Sequence, residues 1–345
     1  MYAELERLGP VLAPDGDPRE QEGLLNPASA RTRDGKLLLY PRAVAAGNVS
    51  RVGRVRVAQR DGGFDVEREG FALEPSARYE RRRAPGYGCE DPRVTFVPVL
   101  DRYVMAYTAF GPKGPRIALA LSQDGYAWER LGLMRFHQPG ITDGDDKDAA
   151  FFPEPVISPE GVRSLALYHR PMLHLSAVDG RAAIPMIERL PHGDRESIRI
   201  AYVPLEPVLR SIENLLEVAE SVIVLSPDDR WGSVKVGAGT PPVRVAEGWF
   251  SLFHGVDLLD NSGAKPMFRY SAGVVIHDYE RPHLVSYRSP QPLFVPETEY
   301  ERKGVVDNVV FPTGIDRRAD LGDRVFDVYY GMADYSIGAA RVTLH

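Results

Sequence analysis

The densest run of chemically capable side chains is Gly88-Cys-Glu-Asp-Pro-Arg93. Asp91 stands before a proline, which biases it to an extended backbone. A crowded carboxylate has its pKa raised and can act as a general acid, while a neighbouring arginine such as Arg93 pulls the other way. The plainer reading is a turn closed by an Asp–Arg pair, with Cys89 as a small buried filler. A second cluster is Lys147-Asp-Ala-Ala-Phe-Phe-Pro-Glu154, leading on to Tyr168-His-Arg-Pro171. A third is Trp231-Gly-Ser-Val-Lys235-Val-Gly-Ala-Gly-Thr-Pro-Pro242. Its glycines do not make a nucleotide loop, because no Gly-Lys-Ser/Thr follows. Lys235 alternates with small residues and can project into a channel, although a lone lysine usually faces solvent. No Gly-x-Ser-x-Gly elbow and no His-Glu-x-x-His helix occurs, and His169 and His174 have no third ligand in view.

These residues need elements to position them. Glycine (32) and proline (29) are spread along all 345 residues and leave little room for long helices. Between them lie short β-branched and aromatic runs at 36–40, 103–107, 249–253 and 325–330, which predict strands. Only 205–219 has a helical character, worth one or two turns. A two-strand unit recurs, in which a strand carrying Tyr40, Tyr107, Tyr168, Phe253 or Tyr330 precedes one carrying Gly53, Ala118, Ala201, Gly273 or Gly338. Five such units fill the chain, and the expectation is an all-β fold, a five-bladed β-propeller with its site at the central channel. Arg42, Thr108, His169, Arg170, His254 and Asp334 come just after the repeated aromatics and would face one another there. A β-sandwich is the competing architecture.

Composition narrows the function classes. The balance of 42 Lys and Arg against 48 Asp and Glu gives a net charge of −6, a poor match to a nucleic-acid backbone. One cysteine excludes internal disulfides and cysteine-based zinc sites. No apolar run is long enough for a membrane helix. The N-terminal stretch lacks a secretory apolar core, so the chain is expected to be cytoplasmic. It is expected to form one domain over 1–345, with 1–25 as an N-terminal extension.

The chain resembles glycoside hydrolase family 130, the β-mannoside phosphorylases and β-mannosidases. The resemblance rests on motifs at 26–28, 48–53, 88–93, 151–154, 169–171, 235–242, 253–257, 308–314 and 329–340, in order through nearly the whole chain. It implies a five-bladed propeller and an inverting displacement at a β-mannosidic bond. Asp91 matches the general acid, which acts through a sugar hydroxyl. Arg170 and Lys235 match phosphate-binding positions, with His254 and Tyr270 as neighbours. Asn48, Ser50, Arg51, Arg93 and Asp334 match positions lining the mannosyl pocket. The stretch 172–197 is long, and Arg195, Arg199 and Arg189 compete for the second phosphate arginine, with Arg195 preferred. Glu196 could instead serve as the base of a hydrolase. The expected partners are a β-mannoside oligosaccharide and inorganic phosphate, without cofactor, metal, nucleic acid or membrane, and a homo-oligomer is plausible. Weaker alternatives are an arabinanase-like triad of Asp91, Glu154 and Asp334, and a sugar-binding propeller without catalysis.

Overall fold

The computed structural model describes residues 2–137, 144–173, 180–263 and 265–345. The architecture is all-β. Pairing defines five antiparallel units of four successive strands. The first comprises Gly23–Arg31, Leu37–Ala45, Val49–Arg60 and Gly63–Leu73. The second comprises Tyr87–Val97, Arg102–Gly111, Gly114–Ser122 and Glu129–Leu133. A short parallel contact, Val49 with Tyr87 and Ser50 with Gly88, joins these two into one sheet. The third runs Asp146–Phe151, Arg163–Pro171, Ile198–Pro204 and Glu220–Leu225. The fourth runs Lys235–Ala238, Gly248–Asp260, Met267–His277 and Val285–Arg288. The fifth takes Val310–Arg317, Val325–Met332 and Ser336–Leu344, and its outer strand is Ala3–Leu12 from the other end of the chain.

The stretch read as an N-terminal extension therefore belongs to a sheet. Its first strand pairs antiparallel with the last strand of the chain from Ala3–Leu344 to Leu12–Ile337. The bulges at Gly9 and Leu12 break the alternation that would have marked it as a strand in the sequence.

The repeated aromatics lie on the second strand of every unit and are all buried. Three of them sit directly across from their small partners: Tyr107 from Ala118, Phe253 from Gly273 and Tyr330 from Gly338. A Cβ on Gly273 would lie 2.4 Å from the Trp231 ring, and one on Gly338 would lie 2.7 Å from the Tyr330 ring. The small residues are thus the spaces into which large rings fit. Apolar clusters join neighbouring units, since a lone four-stranded sheet cannot cover its own faces. Tyr40 and Tyr107 share one cluster, Val104 and Leu167 a second, and Tyr168 and Trp249 a third. Phe250 and Phe326 share a fourth, and Leu39 and Tyr329 join the fifth unit back to the first.

Helices are few. Leu205–Arg210 is followed by the single-turn Ile212–Leu216, as the 205–219 pattern predicts. The ten-residue helix Gly180–Arg189 was not anticipated, and its internal Pro185 explains why.

Two buried glutamates clasp the short helices that lead into the second and fifth units. Glu80 accepts the Ser76 and Ala77 amides, the Tyr107 hydroxyl at 2.6 Å and Arg130 at 2.7 Å. Glu301 accepts the Glu297 and Thr298 amides, the Tyr330 hydroxyl at 2.9 Å and Arg7 at 2.9 Å. Arg7→Ala would leave the Glu301 carboxylate buried without its cation. The expected loss is about 2 kcal/mol of stability, read by urea unfolding.

Candidate active site

The first strands of the first three units share an irregularity. Register slips between Leu25 and Ala28, between Glu90 and Arg93, and between Lys147 and Ala150. A left-handed residue lies in each slip: Asn26 (φ 45°), Asp91 (φ 46°) and Asp148 (φ 60°). Asn and Asp are the non-glycine residues that tolerate this conformation best, because their short polar side chains hydrogen-bond locally. Such bulges re-aim a side chain. Asp334, in the turn after the fifth unit's second strand, is also left-handed (φ 52°).

All five units line one polar cavity of about 200 Å³. The first contributes Asn26 and Arg42, the second Asp91, and the third Lys147, Asp148 and Arg170. The fourth contributes Lys235, His254 and Tyr270, and the fifth Phe311 and Asp334. Six of the residues singled out in the sequence meet here: Asp91, Arg170, Lys235, His254, Tyr270 and Asp334. Arg42 was noticed only as one of the polar residues after the aromatics. Asn26, Lys147 and Asp148 were given no role; what Asn26 and Asp148 share with Asp91 is a left-handed backbone, which residue spacing does not reveal.

One side of the cavity is a carboxylate held by cations. Asp91 Oδ1 accepts Asn26 Nδ2 at 2.8 Å and Arg42 Nη1 at 3.3 Å. Burial alone would raise its pKa, but Arg42, Lys147 and Arg93 together hold it below the ordinary value. Asp334 goes the other way. Burial and the nearby Asp91 push its carboxyl up to about 6, against the pull of Arg42 and Lys147.

The other side is cationic. Arg170 Nε donates to Asp148 Oδ2 at 2.7 Å, and its Nη1 donates to Glu196. Lys235 Nζ lies 5.7 Å from the centre of the Tyr270 ring and has no ion-pair partner among the described residues. His254 packs between Phe311 at 4.3 Å and Tyr270 at 6.3 Å. Burial drives its pKa down to about 3, so it is neutral near pH 7 and offers hydrogen bonds rather than charge. Gly237 gives this group room, since a Cβ there would lie 2.3 Å from both Asp148 Oδ2 and His254 Cε1. Among the described residues no three His, Cys, Asp or Glu side chains converge as a metal site.

The other expected site residues lie outside the cavity lining. Arg93 is fully buried and donates to the carbonyls of Asp91, Ala238 and Gly239, which ties the second unit to the fourth. Ser50 and Asn48 accept hydrogen bonds from Arg42, at 2.9 and 3.2 Å, and orient it. Arg51 points to the other face of its strand and pairs with Glu74 at 3.1 Å. Arg195 donates to the carbonyls of Leu190, Ser233 and Glu188. That commitment fastens the 180–189 helix to the loop before the fourth unit. Arg199 is bound to Ser221, and Arg189 is exposed. Glu154 accepts the Tyr279 hydroxyl and pairs with Arg244, so the triad with Asp91 and Asp334 does not assemble. His174 lies outside the described residues.

An all-β scaffold that lines one small cavity with carboxylates, cations and aromatic rings is of the type found in carbohydrate-active proteins. The comparisons place it further. Residues 15–345 match the family described as glycoside hydrolase 130, beta-1,4-mannooligosaccharide phosphorylase, and the chain belongs to that family. A 1,2-beta-oligomannan phosphorylase of Thermoanaerobacter is 28% identical over 98% of this chain and 96% of its own length. In structure, the chain resembles a β-1,2-mannobiose phosphorylase of Listeria innocua bound to β-1,2-mannobiose. The TM-score is 0.71 at 21% identity, over 98% of this chain and 96% of that one. A structure described with glycoside hydrolases of the same family that target β-1,2 mannosidic linkages in Candida mannan aligns with a TM-score of 0.71 at 21% identity. It covers 99% of this chain and 94% of that one.

The raised Asp334 has a signed consequence for stability. From the ordinary carboxylate value near 4 up to about 6, the folded chain keeps a proton that the unfolded chain has released. Stability from this group therefore falls as pH rises through that window. Asp334→Asn should gain about 1–2 kcal/mol near neutral pH and show little gain at about pH 4, read by thermal unfolding.

Proposed function

We propose that this protein is an inverting β-mannoside phosphorylase that releases α-mannose 1-phosphate. The observation that carries the reading is a single cavity in which Asp91 and Asp334 share the space with Arg170, Lys235 and His254. Asp91 serves as the general acid, working through a sugar hydroxyl. The bond from the anomeric carbon to the leaving oxygen breaks as a phosphate oxygen bonds to that carbon from the opposite face. The leaving sugar keeps the proton that came from Asp91. Phosphate is already an anionic nucleophile, so the step needs no general base, and a neutral His254 is compatible with that. Lys235 and the Nη2 arm of Arg170 are the cationic groups available to hold the anion.

The same proposal takes the five units as blades of a five-bladed propeller forming one domain. The support is the run of apolar clusters that passes from each unit to the next and returns from the fifth to the first. The reaction uses inorganic phosphate as second substrate and no organic cofactor or metal. Its product keeps the bond energy as a sugar phosphate, which suits a cytoplasmic enzyme.

The cations around Asp91 favour its ionised form, and a general acid must carry a proton. An anion arriving beside Arg170 and Lys235, with a mannosyl unit displacing water, opposes that ionisation. Both changes raise the proton affinity of a buried carboxylate.

A second reading is hydrolysis, favoured by Glu196, whose carboxylate sits on Arg170 where it could act as a base for water. Incubation of β-1,2- and β-1,4-linked mannobiose with and without phosphate separates the two. Phosphorolysis gives mannose 1-phosphate only when phosphate is present, whereas equal release of free mannose without phosphate supports the hydrolase. Under either reading Asp91→Asn should lower turnover about 100-fold or more, with thermal unfolding close to wild type.

A further inference from the structure

Glu90 is not part of the cavity lining, yet its carboxylate is only 2% exposed and lies next to Asp91 in the chain. Its two oxygens hold two different cations. Oε1 accepts Arg42 Nη2 at 3.0 Å, and Oε2 accepts Lys147 Nζ at 3.1 Å. The same Arg42 gives its other terminal nitrogen to Asp91. Lys147 stands beside Asp91 in the cavity lining. Three units meet at this network: Arg42 comes from the first, Glu90 and Asp91 from the second, and Lys147 from the third.

We propose that Glu90 and Lys147 are positioning residues that set the proton affinity of Asp91 in opposite directions. Glu90 engages both cations and repels the neighbouring carboxylate, so it keeps Asp91 protonatable. Lys147 opposes it by favouring the ionised form. The other groups facing Asp91 are Asn26 and Arg42 from the first unit, Arg93 from its own strand, and Asp334 from the fifth. Arg42 divides its contacts between Glu90 and Asp91, so removing Glu90 leaves more of its charge to Asp91 and favours the ionised form, in the same direction as the lost repulsion. A buried charge within contact distance moves a carboxylate by about 1 pH unit or more. Two neutralisations of opposite sign therefore have opposite effects, which loss of packing does not produce.

The inference rests on Asp91 being the proton donor. The test is the pH dependence of kcat at saturating phosphate and saturating β-1,2- or β-1,4-linked mannobiose, which reports the proton donor in the loaded enzyme. Activity falls on the alkaline side as the donor loses its proton. Glu90→Gln should move that limb about 1 unit to lower pH, and Lys147→Met about 1 unit to higher pH. The double variant should return it close to wild type. The inference is overturned if both single variants move the limb the same way, or if activity drops while the limb stays in place. Should Glu90→Gln fail to fold in thermal unfolding, the upward shift in Lys147→Met alone decides the matter. Asp91→Asn separates the two levels of the argument: if it stays active, the role of Asp91 itself fails, whatever the limbs do.

Discussion

Charge of both signs buried at one point is the constraint on which the rest of this structure depends. An ion taken out of water costs several kcal/mol unless it is paired and hydrogen-bonded. Here most of these ions are answered by something specific. Glu90 lies between Arg42 and Lys147, and Arg170 lies between Asp148 and Glu196. Arg93 is satisfied by three backbone carbonyls, which requires the second and fourth units to hold their relative position. Of the cations lining the cavity, Lys235 has no ion-pair partner among the described residues. A cavity lined this way takes up an anion more readily than an apolar group.

That balance can be assembled because three of the five units repeat a backbone device and three repeat a packing device. The aromatic of the second strand fits against a missing side chain on the third, and this part of the pattern was readable in the sequence. Large rings and glycines alternate there for steric reasons that side-chain identity records directly. The bulge on the first strand was not readable. Its mark is a left-handed φ at Asn26, Asp91 and Asp148, which depends on backbone geometry rather than spacing. Asp91 was singled out because its flanking residues are unusual. Asn26 and Asp148 occupy the same structural position with plainer neighbours.

The expected site residues that lie outside the cavity lining share one physical reason. Motif position says that a residue is near a site, but not which way its side chain faces. Ser50 and Arg51 are adjacent on one strand, so they must point to opposite faces, and only Ser50 reaches Arg42. Arg195 and Glu196 are adjacent too, and it is Glu196 that reaches Arg170, while Arg195 turns to backbone carbonyls. Arg93 looked like a sugar-binding arginine and is instead the buried brace beneath the cavity. The N-terminal strand shows the complementary problem: its partner is more than 300 residues away in sequence, and nothing local announces it.

The pairing of Arg170 with Glu196 frames the choice between water and phosphate. A guanidinium has five N–H donors in a fixed fork. In Arg170 one edge is engaged by Asp148 and a terminal nitrogen by Glu196, which leaves Nη2 as the unassigned arm. Phosphate can gain a two-pronged hold on this arginine only by sharing the fork with Glu196 or displacing it. If Glu196 keeps its place, a carboxylate stays beside the reacting face, and water is the nucleophile it can activate. If phosphate takes that place, Lys235 supplies the second positive charge, and no base is needed. On the proposed reading, the same buried arginine would serve either chemistry, and the choice would turn on which anion holds its outer nitrogens.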